Sequence, residues 1–191
     1  MQYIKDESYT TIYIEETPDG ESQEIADNLA GIFTLASKVI LNSKPVPFKG
    51  GAYYSYEVEE GGETTTVYEY MDIFELISIF IDENILPSIY VPIEYYDDYY
   101  FADGWSCIFE YIIPFDTIDD GFVVVFNDDE AEIIYYKGDE LNITVPSEIG
   151  GKEVTVIGSH AFNATITDVT LGDSVKTIKD YAFYKNTSLQ T

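Results

Sequence analysis

The sequence predicts an α+β fold: an N-terminal antiparallel sheet with two helices, followed by a short solenoid of stacked turns. In the first part of the chain, β-rich runs alternate with two stretches whose apolar residues recur at helical spacing. In the last part, Val154-x-x-Ile157-x-x-x-Ala161-Phe162 recurs 21 residues later as Val175-x-x-Ile178-x-x-x-Ala182-Phe183. Because one such turn cannot bury its own apolar edge, turns of this length stack on one another.

The N-terminal elements are predicted in the order strand, helix, hairpin, helix, strand. A hairpin is indicated by two β-rich runs on either side of Gly61-Gly62, and Asp72 with Glu75 resembles a capping box at a helix start. This order is compatible with a ferredoxin-like arrangement. The predicted elements are a strand at 9–15, a helix at 21–41, hairpin strands at 52–58 and 63–70, a helix from 72 to before Pro87, and strands at 89–93 and 105–113.

The C-terminal part begins with a predicted hairpin over residues 121–136, followed by short strands at 143–145 and 169–171. Residues 121–191 resemble the BspA-like leucine-rich repeats. The matching positions are Gly121-Phe122, Val145-Pro146-Ser147, Ile149-x-Gly151-Lys152-x-Val154, Ile157-Gly158, Ala161-Phe162 and its repeat, and Asn186-x-Ser188-Leu189. The resemblance implies an entry hairpin and about two leucine-rich-repeat turns in a protein of recognition or adhesion. Nothing in residues 1–118 resembles a known family.

Two domains are therefore expected, an acidic α+β domain at 1–118 and a repeat domain at 119–191. The link at 163–166 is shorter than its counterpart after Phe183, and the chain ends where a third turn would begin. Since terminal turns need a polar cap, the open last turn is expected to be covered by the first domain or a partner, or to self-associate.

Charge is the most unusual feature of the composition. The chain has 36 acidic residues against nine basic ones, a net charge of −27, and all nine basic residues are lysines. Residues 1–118 hold 23 acids and four lysines, net −19, whereas residues 119–191 hold 13 and five, net −8. Without arginine and with a repulsive field, direct binding of nucleic acid or of an anionic membrane is not expected. A partner with a basic surface is expected instead.

No catalytic set, cofactor site or metal site is predicted, so the chain is expected not to be an enzyme. His160 is the single histidine and is expected to be a partly exposed turn residue, while Cys107 is expected to be a small core residue. The acidic clusters lack the spacing of a calcium loop. No apolar run is long enough to span a membrane. The N-terminus lacks a signal peptide, which predicts a cytoplasmic protein if Met1 is native and a cell-surface protein if the natural chain starts earlier.

One segment alternates aromatic residues with carboxylates and is the predicted binding site. Tyrosine offers a large, rigid contact area at low entropic cost, and carboxylates attract lysine and arginine. A buried strand with an acidic loop is the competing interpretation. The predicted binding residues are Glu94, Tyr95, Tyr96, Asp97, Asp98, Tyr99, Tyr100, Asp103 and Trp105.

Three functions follow, in decreasing order of support. The first is a non-enzymatic protein-binding protein with a strongly acidic surface. The second is an intracellular inhibitor that mimics nucleic acid and occupies a basic DNA- or RNA-binding protein or nuclease, as anti-restriction and anti-CRISPR proteins do. The third is a glycan-active enzyme with a carboxylate pair, which the many acids permit without indicating.

Overall fold

The computed structural model describes residues 11–15, 32–33, 36–45, 51–60, 63–84, 86–162 and 166–190. The structure is mostly β, with 44% strand and 18% helix. The α-helices assigned in the described part are α1 (Ile73–Asp82) and α2 (Tyr96–Phe101). The strands are β1 (Thr11–Glu15), β2 (Lys38–Asn42), β3 (Gly51–Glu60), β4 (Glu63–Asp72), β5 (Ser88–Pro92), β6 (Ile112–Phe115), β7 (Thr117–Asp119), β8 (Phe122–Asn127), β9 (Glu130–Tyr136), β10 (Asn142–Thr144), β11 (Glu148–Ile149), β12 (Lys152–Ile157), β13 (Asp168–Thr170) and β14 (Thr177–Ile178). Short 3₁₀ helices cover Ile93–Tyr95, Trp105–Cys107 and Phe109–Tyr111.

The first sheet has the strand order β1-β2-β5-β6, and every neighbouring pair in it is parallel. Parallel strands are usually covered on both faces and read as continuous apolar runs, and the run Val39-Ile40-Leu41 in β2 is fully buried. Val39 and Leu41 face one core, which α1 completes with Leu76, Ile77 and Phe80. Ile40 faces the opposite side.

The second sheet has the order β11-β12-β9-β8-β7, with β14 added beside β12. β7, β8 and β9 are antiparallel, whereas β9, β12 and β14 run parallel. The internal repeat brings its own copies together here, because Val156 lies opposite Thr177 and Ile157 opposite Ile178. A second core packs against this sheet, and Ala161, Phe162 and Ala182 belong to it.

The two sheets pack against each other through a third, smaller core. Ile40 and Phe115 from the first sheet contact Val123 and Ile134 from the second. The rings of Tyr13 and Tyr135 stack beside this core with their centroids 5.8 Å apart. The face of the first sheet opposite α1 is therefore covered by the second sheet.

The predicted hairpins are confirmed, and so is the start of the second predicted helix. β3 and β4 pair antiparallel from Gly51 opposite Asp72 to Glu60 opposite Glu63, and β8 pairs with β9. Asp72 caps α1, because its Oδ1 accepts hydrogen bonds from the backbone N–H groups of Phe74 at 2.9 Å and Glu75 at 3.0 Å.

The predicted fold class is wrong. The described part of the chain contains neither an antiparallel sheet carrying two helices nor a solenoid. It is mostly β structure, arranged in several sheets. The first sheet is parallel. Pairing between the repeat copies is short: β12 and β14 are joined only through Val156 and Ile157, which lie opposite Thr177 and Ile178. β12 instead belongs to a mixed sheet that contains the antiparallel hairpin.

Two predicted elements are also wrong in part. The C-terminal end of the predicted helix 21–41 is strand β2, while most of that range lies outside the described residues and Ile32 and Phe33 are helical. The predicted strand 105–113 consists of 3₁₀ helices followed by the start of β6. The short strands near 143 and 169 do form, as β10 and β13, and they pair in parallel. The domain boundary after residue 118 stays a prediction.

Candidate functional site

A short helical region follows β5 and contains all the binding residues predicted from the sequence. It runs from Ile93 to Tyr111 and comprises the 3₁₀ helix Ile93–Tyr95, α2, the two later 3₁₀ helices and the turns between them. We call its solvent-facing part the acidic–aromatic surface. That surface consists of Ile93, Glu94, Tyr96, Asp97, Asp98, Tyr100, Phe101, Asp103, Phe109 and Glu110.

The aromatic rings of this surface form a continuous series. Phe101 lies edge-to-face against Tyr100 at 5.0 Å between centroids, and Tyr100 lies edge-to-face against Phe109 at 5.1 Å. Phe109 in turn contacts Tyr96 at 4.7 Å. The series runs outward, because Tyr96 and Phe109 are half-buried against the core, whereas Tyr100 is 53% and Phe101 81% exposed. An exposed phenylalanine at the end of an ordered ring series offers apolar area that a partner could bury.

Two of the predicted residues support this surface from beneath. Tyr99 and Trp105 are fully buried and lie edge-to-face at 4.7 Å between ring centroids. The Tyr99 hydroxyl donates a hydrogen bond to the Ser43 carbonyl at 3.1 Å. Gly104 precedes Trp105 with φ of +86°, a left-handed conformation that glycine adopts without steric cost. The turn it makes directs the indole into the core, so neither Tyr99 nor Trp105 can face a partner directly.

Carboxylates flank the exposed rings. On α2, Asp97 lies one helical turn before Phe101, and residues at this spacing are neighbours on a helix surface. Glu94, Asp98 and Asp103 are also exposed. The salt bridges found among the described residues involve Glu15, Glu130 and Glu132, so none of them neutralises a carboxylate of this surface. Its charge therefore remains available to a cationic partner.

A second candidate site, which we call the polar pocket, lies where the two sheets meet. It has a volume of about 270 Å³. Residues from the starts of β2 and β5 form one side, and β9 with the segments after β12 and β14 forms the other. Its lining residues are Ser37, Lys38, Ser88, Tyr90, Glu132, Ser159, His160 and Lys179.

Lys38 is the most unusual side chain in this pocket, because it is a buried lysine with 5% exposure. Its Nζ donates hydrogen bonds to the backbone carbonyls of Ile134, at 2.7 Å, and Ser159. Burial lowers the pKa of the Lys38 ammonium to about 8, against the opposing attraction of Glu132. Lys38 stays largely protonated at neutral pH, and it ties the first sheet to the second.

The other titratable groups respond to the same burial. Burial, assisted by the negative charge of Glu132, raises the pKa of Tyr90 to about 12. Burial and the neighbouring Lys38 charge lower the pKa of His160, whose ring stacks on Tyr181 at 5.4 Å between centroids. Glu132 is ion-paired with Lys179, whose Nζ lies 2.7 and 2.8 Å from its two oxygens.

Sequence reasoning missed this pocket and misplaced two residues near the sites. His160 is buried, not partly exposed, and Cys107 is exposed on a 3₁₀ helix, not buried in a strand. The available signal for Lys38 was a lysine placed directly before the apolar run Val39-Ile40-Leu41. A lysine at that position also suits the solvated end of a helix, which is how the run was interpreted.

Comparison with protein-family models, with curated proteins and with solved structures finds no significant match to this chain. The resemblance of residues 121–191 to BspA-like repeats therefore stays a prediction. Within the described residues, no group of three or more histidine, cysteine or acidic side chains is arranged to hold a metal ion. No helix in that part of the chain has the length and apolar character needed to cross a membrane.

Proposed function

We propose that this protein is a protein-binding protein whose acidic–aromatic surface engages a partner with a basic, partly apolar surface, without chemistry on that partner. The single observation behind the proposal is the exposed Phe101 at the end of an ordered ring series, surrounded by carboxylates that form none of the described ion pairs. The resemblance of residues 121–191 to BspA-like repeats favours the same general role of recognition or adhesion.

The arrangement of the surface suggests how it would bind. Interface centres are rich in aromatic residues and poor in charge, whereas interface rims are polar. Phe101 and Tyr100 would form such a centre, and Asp97, Asp98 and Asp103 the rim. Lysine or arginine of the partner would pair with the rim and speed association through long-range attraction. A buried scaffold of Tyr99 and Trp105 holds the centre in place, which lowers the entropic cost of binding.

The test is capture of partners from the lysate of the source cell by the tagged full chain, compared across variants. Phe101→Ser removes the apolar centre, and Asp97→Asn with Asp98→Asn removes two rim charges. Glu57→Gln with Glu59→Gln makes the same charge change on the exposed hairpin strand β3 and serves as the matched control. We expect the first two variants to lose at least about tenfold in affinity for a captured partner, and the control to bind normally. Equal binding by all variants would contradict the proposal.

Salt and nucleic acid separate this function from nucleic-acid mimicry. A mimic binds by Coulombic attraction alone, so its affinity should collapse as salt screens the charges, and duplex DNA should displace it. Binding centred on Phe101 should keep a salt-resistant component and should be insensitive to DNA. Displacement of every captured partner by DNA would favour the mimic and overturn the present proposal.

A further inference from the structure

The polar pocket is lined entirely by polar side chains. They supply four hydroxyl groups, two ammonium groups, one imidazole and one carboxylate, from Ser37, Ser88, Ser159, Tyr90, Lys38, Lys179, His160 and Glu132. Ligand pockets are ordinarily lined mostly by apolar and aromatic groups with a few polar ones. A lining of this kind offers few apolar contacts to an apolar ligand. It suits a small ligand that is itself rich in hydrogen-bonding groups.

The charges in this pocket do not cancel. Lys179 is paired with Glu132 through both carboxylate oxygens. Lys38 donates to two backbone carbonyls, and none of the ion pairs found among the described residues includes it. An ammonium has three donors; two of those of Lys38 meet carbonyl oxygens, and its Nζ also lies 5.7 Å from the centre of the Tyr90 ring. With two lysines and one carboxylate, the lining carries one net positive charge. This net positive lining contrasts with the chain's net charge of −27.

Hydrogen-bonding capacity also remains on the hydroxyl side of the pocket. The Oγ of Ser37 is buried, and no described residue forms a hydrogen bond with it. A buried polar atom without a partner costs free energy, so such atoms are rare in folded proteins. Ser37 and Lys38 both line the polar pocket, so one ligand in it can meet both residues.

We propose that the polar pocket binds a small hydroxylated monocarboxylate, an aliphatic hydroxy acid, with its carboxylate at Lys38 and its hydroxyl groups at Ser37 and the neighbouring hydroxyls. The net single positive charge selects a monoanion, and a dianion would in addition be repelled by Glu132. A volume of about 270 Å³ holds roughly nine water molecules at ~30 Å³ each, which is the size range of a three- to six-carbon acid.

Calorimetric titration of the full chain with three probes tests this proposal. Glycerate has a carboxylate and two hydroxyls, propionate has only the carboxylate, and glycerol has only hydroxyls. We expect glycerate to bind at least about tenfold more tightly than either of the others, because each of them leaves one half of the pocket without a partner. Glycerate binding no tighter than propionate and glycerol, or inorganic phosphate binding more tightly than glycerate, would overturn it.

Variants tie the binding to the named side chains. Lys38→Met should abolish glycerate binding, and Lys152→Met, at a half-buried lysine of β12 outside the pocket, should leave it unchanged. Because Lys38 also joins the two sheets, its variant could fail to fold, so Ser37→Ala provides a second measurement. This variant removes one hydroxyl and should weaken glycerate about tenfold while leaving propionate affinity unaltered. Unchanged glycerate affinity in Ser37→Ala would contradict the proposal whatever Lys38→Met does.

Discussion

The acidic–aromatic surface and the polar pocket place charge in opposite ways. On the surface, carboxylates stand in solvent around rings that become more exposed from Phe109 to Phe101. In the pocket, a lysine is buried between two sheets and a carboxylate beside it is neutralised by Lys179. Removing an exposed group should therefore leave the stability of the fold nearly unchanged, whereas removing a buried one should lower it.

The largest expected effect is a loss of stability on removing buried Trp105, compared with removing exposed Phe101. Trp105→Ala should lower the free energy of unfolding by about 3–5 kcal/mol, because it leaves a cavity under α2. Phe101→Ala should change it by no more than about 0.5 kcal/mol, since Phe101 is 81% exposed. Urea denaturation followed by circular dichroism measures both. Similar losses in the two variants would show that the ring series is part of the core.

The buried lysine should make stability rise with pH. The pKa of Lys38 falls from 10.5 to about 8 on folding, so the unfolded chain binds more protons between these values, and stability increases with pH across that window. The difference corresponds to about 3 kcal/mol. Denaturation at pH 7 and at pH 10 should show the increase in the native chain and its absence in Lys38→Met. An identical pH dependence in both would mean that the Lys38 ammonium is not desolvated by folding.

Tyr90 should produce the opposite slope at higher pH. Its pKa rises from 10.0 to about 12 on folding, so the folded chain binds more protons between these values, and stability is lost as pH rises through them. Burial also raises the pKa values of Tyr13 and Tyr135, so Tyr90→Phe should lessen this loss without abolishing it. Denaturation at pH 10 and pH 11 in the native chain and the variant measures the difference. A steeper loss in Tyr90→Phe would be the contrary result.

The smallest effects should come from the ion pairs, and the pair in the polar pocket should matter more than an exposed pair outside it. Lys179→Met removes the partner of Glu132, whose side chain is only 14% exposed, and should cost about 0.5–1 kcal/mol at low salt. Lys176→Met breaks the pair with Glu130, in which both side chains are largely exposed, and should cost less. Denaturation at low and at high salt compares them, and salt should erase the Lys176 effect first. A larger loss of stability in Lys176→Met than in Lys179→Met would contradict this expectation.

Local patterns in the sequence predicted local structure correctly. The glycine pair between β-rich runs gave the hairpin of β3 and β4, and Asp72 marked the start of α1, because both signals act within a few residues. The 21-residue repeat predicted a solenoid, which the described residues do not form, although Val156 and Ile157 do lie opposite their counterparts Thr177 and Ile178. At the hairpin and at the helix start, the interactions that decide the structure join residues close together in the chain.

The arrangement of the sheets could not be predicted in the same way. Val39, Ile40 and Leu41 form a continuous apolar run, which fits one turn of a buried helix as well as a buried parallel strand. It is a strand because the core with α1 covers one face and β8 with β9 covers the other, and neither covering surface lies near it in the chain. The polar pocket has the same origin, since Lys38, Tyr90, Glu132 and Lys179 come together only when both sheets are in place.

If the acidic–aromatic surface is the binding face, a bound partner should protect its amides from hydrogen exchange. Amide exchange of the full chain would be compared with and without a partner captured from the source cell, by mass spectrometry at peptide resolution. We predict slower exchange over residues 93–103 and 108–111 on binding, with the β3–β4 hairpin and residues 168–190 unchanged. Protection confined to residues 168–190, with none around α2, would contradict the claim and move the binding face to the C-terminal repeat.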